Sequence, residues 1–376
     1  MRLMVCYGPV RVGMELESDA QRDWLVGVLS PTFEISAEPV PAPCDTTLRV
    51  QMRGARNLDA LDRAAIHRSP CLRFDPSEPL LHLASFSEAS KLVYATDGGD
   101  RLLYRLEAVP ADGVACLELF DDGPAGWRLL ARMVKSIIGI HAQRKSMLFV
   151  HAAAMQLRGR GHLLLGPKGS GKSSLCHLAG MTAGAAIVSD DMVTIESTPG
   201  GLVARGWPNR IAVGESLLQA LYGPDLSAMV QGLRRPTIPA RSENAVLGDW
   251  HPDRRVRHYY DQDEFVERFG VCLLPSMTVD SLVLPHCSPL RTSVEIERFE
   301  GDSADAVCDN LAEPRQTKYM TDYLGLYGGD PIRWSSRGTC GEFAGLGCVT
   351  LHYGPSINRG FPDHWLGVEH LLAEKV

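Results

Sequence analysis

The chain lacks any apolar run long enough to span a bilayer. Its strongest, Met147 to Leu157, falls well short of the roughly 20 residues required and is interrupted by His151. The first residues, Met1 to Pro9, are too short in apolar length for a secretory signal, and charges soon follow. The expectation is a cytoplasmic protein with no membrane partner. An excess of positive charge is missing too: 38 Lys and Arg stand against 45 Asp and Glu, a formal net charge of −7. That balance disfavours a polyanion as the main partner and excludes a general nucleic-acid binder. There are ten cysteines but no C-x-x-C pair, so neither a zinc knuckle nor a disulfide-exchange motif is present. His286-Cys287 with Cys272 fits no standard zinc spacing. The thiols are expected to be free and mostly buried, in a reducing compartment. Also absent are a G-x-S-x-G nucleophile elbow, of which Gly354-Pro355-Ser356-Ile357-Asn358 is the nearest text, a G-x-G-x-x-G dinucleotide fingerprint, and any internal repeat.

The sequence does contain ordinary globular material, 376 residues of which 45% are apolar, a soft prior of two to three domains. Residues 1–125 carry short alternating runs such as Leu48 to Met52, Leu80 to Leu83 and Leu102 to Leu106, separated by Pro, Gly and Asp. They predict a β-rich domain with one helix near Asp19 to Leu29; substrate or partner docking is a candidate role for it that the pattern itself does not specify. Between Trp127 and Gln143, apolar residues recur at three- and four-residue spacing with Arg and Lys on the other face, which predicts a helix. Residues 126–376 read as a mixed α/β catalytic domain. In it Met147 to Leu157 forms one strand, Arg158 to Gly161 a turn, and His162 to Leu165 a second strand that enters a glycine-rich loop. A helix over Ser173 to Ala183 comes next, then a buried strand Ala186 to Val188 and a strand pair about Thr198-Pro199-Gly200. Pro224 to Asp261, rich in Pro and Arg with weak periodicity, reads as a long loop.

Gly166-Pro167-Lys168-Gly169-Ser170-Gly171-Lys172-Ser173 satisfies G-x-x-x-x-G-K-[ST]. Its glycines let backbone N–H groups turn onto phosphate oxygens, Lys172 reaches the β and γ phosphates, and the Ser173 hydroxyl suits Mg²⁺. A strand before and a helix after are the context such a loop needs. Eighteen residues after Lys172, the strand Ala186 to Val188 ends in Ser189-Asp190-Asp191. One carboxylate can order the metal and the other accept a proton from an incoming hydroxyl, where a plain switch would need only the first. An exposed capping turn is the competing reading of this pair. His151 lies on the strand before the loop, where a histidine is by itself more often a satisfied core residue.

Together these pieces resemble the HPr kinase/phosphorylase family, and Val150-His151-Ala152-Ala153-Ala154 looks closest to its branch of peptide serine kinases of the lasso-precursor type. In the family a histidine lies fifteen positions before the first loop glycine, the separation of His151 and Gly166. The resemblance covers residues 127 to 215. It implies a phosphoenolpyruvate-carboxykinase-like P-loop core with a mixed twisted sheet, ATP bound by Gly166 to Ser174, and magnesium held by Ser173 and Asp190. Asp191 would then be the catalytic base, with Asp190, His151 and Lys172 assisting, and the family's assembly habit implies a homo-oligomer. Where HPr kinases carry a metal-holding Glu, this chain has Val203-Ala204-Arg205-Gly206. The adjoining run Gly206-Trp207-Pro208-Asn209-Arg210-Ile211 is similar to that of the peptide kinases.

Between residues 231 and 260 six arginines stand against three carboxylates, a local excess that suits a clamp on transferred phosphate. Arg254 and Arg255 are the chosen candidates. The chain thus reads as an ATP- and Mg²⁺-dependent kinase of a Ser or Thr hydroxyl on a ribosomally made peptide. A small-molecule kinase and a non-catalytic nucleotide-dependent regulatory module stay open.

Overall fold

The computed structural model of the protein describes residues 1–37, 44–67, 69–73, 79–86, 90–234, 256–299, 343 and 345–373. These fall into two compact units, one holding Met1–Ser146 and the other beginning at Met147.

The first unit holds β1 (Arg2–Tyr7), β2 (Val10–Glu15), α1 (Asp19–Leu29), β3 (Glu34–Ser36), β4 (Thr46–Met52), β5 (Arg56–Asn57), α2 (Ala60–Ile66), β6 (Cys71–Leu72), β7 (Leu80–Phe86), β8 (Lys91–Thr96), β9 (Arg101–Val109), β10 (Val114–Leu119) and α3 (Pro124–Arg144). Nine strands lie in the order β3-β1-β2-β4-β10-β9-β8-β7-β6, with β5 added beside β9. Only β2–β4 and β4–β10 pair in parallel among the described strands of this sheet. The alternating runs become strands with one buried face, as in β9, where Leu102, Tyr104, Leu106 and Ala108 point inward. Ser18 caps α1 by accepting from the Gln21 amide. α3 packs on α1 and β2, so the division between units falls after this helix, where the sequence placed it before.

The second unit continues with β11 (Leu148–Val150), β12 (Ala153–Leu157), β13 (Arg160–Leu164), α4 (Lys172–Ala183), β14 (Ala186–Ser189), β15 (Val193–Thr198), β16 (Gly201–Gly206), β17 (Ile211–Gly214), α5 (Glu215–Tyr222), α6 (Ser227–Val230), β18 (Arg257–Tyr260), α7 (Gln262–Phe269), β19 (Ser276–Thr278), β20 (Ser281–Cys287), β21 (Glu295–Arg298), β22 (Gly347–Tyr353) and α8 (Phe361–Ala373). A mixed six-stranded sheet runs β14-β12-β13-β20-β22-β21, parallel at β13–β20–β22 and antiparallel at both flanks. A four-stranded sheet β11-β15-β16-β19 and the pair β17–β18 complete it. The core gathers Met155, Leu164, Val283 and Leu351 of the large sheet against Leu175, Cys176, Leu178 and Ala179 of α4 and Phe361, Trp365 and Val368 of α8.

Three expectations change here. Pro224 to Asp261 is not loop throughout: α6 and β18 lie within it, β18 pairing antiparallel with β17, and residues 235–255 lie outside the described residues. Met147 to Leu157 is not one strand: β11 pairs with β15 and β12 with β13 and β14, so the two halves serve different sheets. The break is a three-residue turn centred on His151, in which the Ala152 amide donates to the Val150 carbonyl at 3.0 Å. An unbroken apolar run hides such a turn, because every apolar side chain beside it is still buried. The thiols are also not mostly buried: among the described residues Cys176 and Cys348 are, whereas Cys71, Cys116 and Cys272 are exposed. All described cysteines are free, as expected.

Candidate active site

β12 and β13 are joined by two residues, Arg158 (φ 51°) and Gly159 (φ 79°), the pattern of a type I′ hairpin turn. β13 then delivers the chain into the loop that ends at the first turn of α4. Gly169 (φ 90°) and Gly171 (φ 99°) turn the loop back in a conformation that side chains resist. Gly171 is also crowded, since a Cβ placed on it would stand 2.0 Å from Tyr353 Oη, whose hydroxyl donates to the Gly171 carbonyl at 3.0 Å. From β20, the Cys287 amide donates to the Ser170 carbonyl at 2.9 Å. Two neighbouring strands therefore brace the loop.

The Lys172 ammonium, on a residue 5% exposed, folds back onto the loop and donates to the Gly166 and Pro167 carbonyls at 2.6 and 3.2 Å. Ser170 Oγ is buried with no hydrogen-bond partner among the described residues, an unusual state for a hydroxyl unless something else binds there. Ser173 Oγ donates to the Asp190 carbonyl at 2.8 Å, which joins the start of α4 to the end of β14.

The turn after β14 is tied by Ser189, whose hydroxyl donates to the Met192 carbonyl at 2.7 Å and accepts from the Met192 amide. It sends the adjacent carboxylates into different surroundings. Asp190 is 5% exposed; its Oδ2 lies 3.2 Å from His177 Nε2 and accepts from the Ala212 amide at 3.4 Å. Beside it, the fully buried Cys176 thiol is pushed well up, first by burial and then by the Asp190 charge. The Asp191 side chain is 48% exposed, with Oδ1 3.5 Å from His151 Nε2 and Oδ2 accepting from Asn209 Nδ2 at 3.1 Å. The turn that interrupts β11 and β12 is thus what carries His151 to Asp191, a position a core strand residue would not take.

The structure brings together Gly166 to Ser174, Asp190, Asp191 and His151. Arg254 and Arg255 lie outside the described residues. Arg234, another of the six arginines of that window, is ion-paired with Asp263, with Glu264 at 3.2 Å and with Asp261 at 3.7 Å, all just past the window. Sequence reasoning missed His177, Ser189 and Tyr353. The position of His177 about one and a half turns after Lys172 was a usable signal, whereas Tyr353 arrives from 182 residues away. Asn209 belongs to the peptide-kinase-like run but carries no role from sequence alone.

The described residues include no group of three or more His, Cys, Asp or Glu side chains placed to hold a metal. They do suit a magnesium nucleotide, whose phosphates would need an unsatisfied hydroxyl, loop amides and a lysine in one place. No helix among the described residues is long and apolar enough to cross a membrane.

No protein-family model and no curated protein matches the chain. Among solved structures the chain is similar to the Hpr(Ser) kinase/phosphatase from Coxiella burnetii, at 12% identity over 59% of this chain and 98% of that chain, with a TM-score of 0.24. A similarity at that level supports no inference about activity, substrate or assembly.

Proposed function

We propose that the chain is an ATP- and Mg²⁺-dependent kinase, with a phosphoenolpyruvate-carboxykinase-like core, that phosphorylates a Ser or Thr hydroxyl on a peptide. The observation that carries this reading is the division of labour at Asp190-Asp191. One carboxylate is buried against His177 and the loop helix, and the other is half exposed beside His151. A nucleotide switch needs no second carboxylate held open in this way, which counts against the regulatory module.

In this account the loop amides, Ser170 and Lys172 bind the nucleotide phosphates, and Ser173 with Asp190 would hold the metal. When bound, the magnesium nucleotide supplies the phosphoryl group and offsets the charge that builds on it. Asn209 fixes the Asp191 carboxylate through Oδ2. Asp191 takes the acceptor hydroxyl's proton, and His151 Nε2 at 3.5 Å is next in line for it. Positioning of this kind supplies most of the rate in phosphoryl transfer. A peptide acceptor, and specifically the precursor of a ribosomally made product, is supported by the likeness of Val150 to Ala154 and Gly206 to Ile211 to the peptide-kinase branch. The first unit would dock that substrate.

The test is incubation of the purified chain with Mg²⁺, γ-labelled ATP and a panel of Ser-terminated peptides, followed by hydroxylated metabolites, with Lys172→Ala as control. A phosphate-sized mass gain on a peptide, lost in the control, is expected. Transfer only to a metabolite would replace the acceptor, and nucleotide binding with no transfer to any hydroxyl would overturn the kinase.

A further inference from the structure

At the outer edge of the first unit's sheet, β6 pairs only with β7 among the described strands, and Cys71 stands directly across from His82. Cys71 Sγ lies 3.3 Å from His82 Nδ1, and the ring's far nitrogen, Nε2, lies 3.3 Å from Thr96 Oγ1 on β8. Thr96 is 1% exposed and also accepts from the Gly98 amide at 3.3 Å, so its oxygen is a fixed point against which the imidazole is oriented. Another acceptor in reach of the thiol is the Ser69 carbonyl, at 3.6 Å. The cysteine itself is exposed. Nucleophile, base and a third group that orients the base therefore stand in line, with the nucleophile open to solvent.

We propose that Cys71, His82 and Thr96 form a thiol-exchange site that takes low-molecular-weight disulfides. With Nε2–H donating to Thr96 Oγ1, Nδ1 presents a lone pair to the thiol. Burial lowers the imidazole's pKa from its ordinary value, which keeps the ring neutral and able to accept. The proton passes from Cys71 Sγ to His82 Nδ1 as the sulfur attacks one sulfur of the disulfide. The S–S bond of the reagent breaks, a new one forms to Cys71, and the departing thiolate takes the proton from His82. Cys71 is thereby oxidised to a mixed disulfide and half of the reagent is reduced to a thiol, with no further co-reactant. The site belongs to the first unit and is independent of the kinase reading.

Cys116 and Cys272 serve as internal standards. Both are exposed, and neither has an imidazole within hydrogen-bond reach among the described residues. The full reduced chain is mixed with glutathione disulfide, and the mixed disulfide at each cysteine is followed by peptide mass spectrometry. Cys71 is expected to react at least about tenfold faster than Cys116 and Cys272, a conservative margin for a positioned base. His82→Gln should bring Cys71 down to their level while their own rates stay unchanged, which reports an intact fold. Free imidazole should restore part of the rate in His82→Ala. Equal rates at the three thiols of the unmodified chain, or a Cys71 rate indifferent to His82→Gln, would overturn the proposal.

Discussion

Asp191 keeps two partners that a carboxylate in a mere capping turn would not need, the Asn209 amide at 3.1 Å and His151 at 3.5 Å. If those partners aim the carboxylate at an acceptor, removing one should slow transfer without weakening nucleotide binding. Asn209→Ala is expected to lower the phosphotransfer rate by roughly tenfold, as a misaimed base loses part of its contribution, with nucleotide affinity held within experimental error. Steady-state transfer alongside calorimetric titration of the nucleotide checks this, and a parallel fall in affinity would place Asn209 in the nucleotide site instead. At the loop, Gly171→Ala puts a methyl where Tyr353 Oη already is, at a φ of 99°. Nucleotide affinity should drop by an order of magnitude or more, since the strain falls on the binding loop itself. An unchanged dissociation constant would show that the loop can move aside. At this scale the sequence is most legible for groups close together in the chain. Gly166 to Ser173 and Asp190-Asp191 are visible as a motif and a pair in the text, whereas Tyr353 and His177 gain their contacts with the loop and with Asp190 only through folding.

Elements are legible where periodicity is strong and one face meets water. α1 runs over Asp19–Leu29, the span expected from its pattern, and the Trp127 to Gln143 pattern lies within α3. Met147 to Leu157 reads as a single strand because burial on all sides erases alternation, and the turn at His151 leaves no trace in hydrophobicity. α4 shows what holds the loop in register: its inner face, with Leu175 and Leu178 at 0% and 1% exposure, is packed into the second unit's core. Leu175→Ala should cost about 2–5 kcal/mol, the range for a buried leucine whose site collapses only in part. Denaturant unfolding measures this, and a loss under about 1 kcal/mol would mean that the helix is not anchored by that face.

At the scale of the whole molecule, the cysteines among the described residues are free, in keeping with the composition. Composition could not tell which lie at the surface, because cysteine's apolar character is indifferent to a strand's edge. A pH response is built into both units. His141, hydrogen-bonded to Thr46 in the first, and His162, hydrogen-bonded to Ser281 in the second, are each pushed down to about 4, chiefly by burial. An unfolded histidine titrates near 6.5. Between those values the unfolded chain binds a proton that the folded chain refuses, so stability is full above about 6.5 and is lost as pH falls toward 4. Thermal unfolding should show Tm declining over that window, in both transitions if the units melt separately. A Tm that holds steady until carboxylates begin to protonate, near pH 4, would contradict the assignment.

The most direct measurement is a paired one on Asp191→Asn, with nucleotide affinity by titration and phosphoproduct formation by label transfer, both on the full chain. Affinity is expected to be unchanged and transfer to fall about 10²–10⁴-fold, the contribution of a general base. Near-normal transfer would remove Asp191 as the proton acceptor and, with it, the reason for reading the two carboxylates as a divided pair.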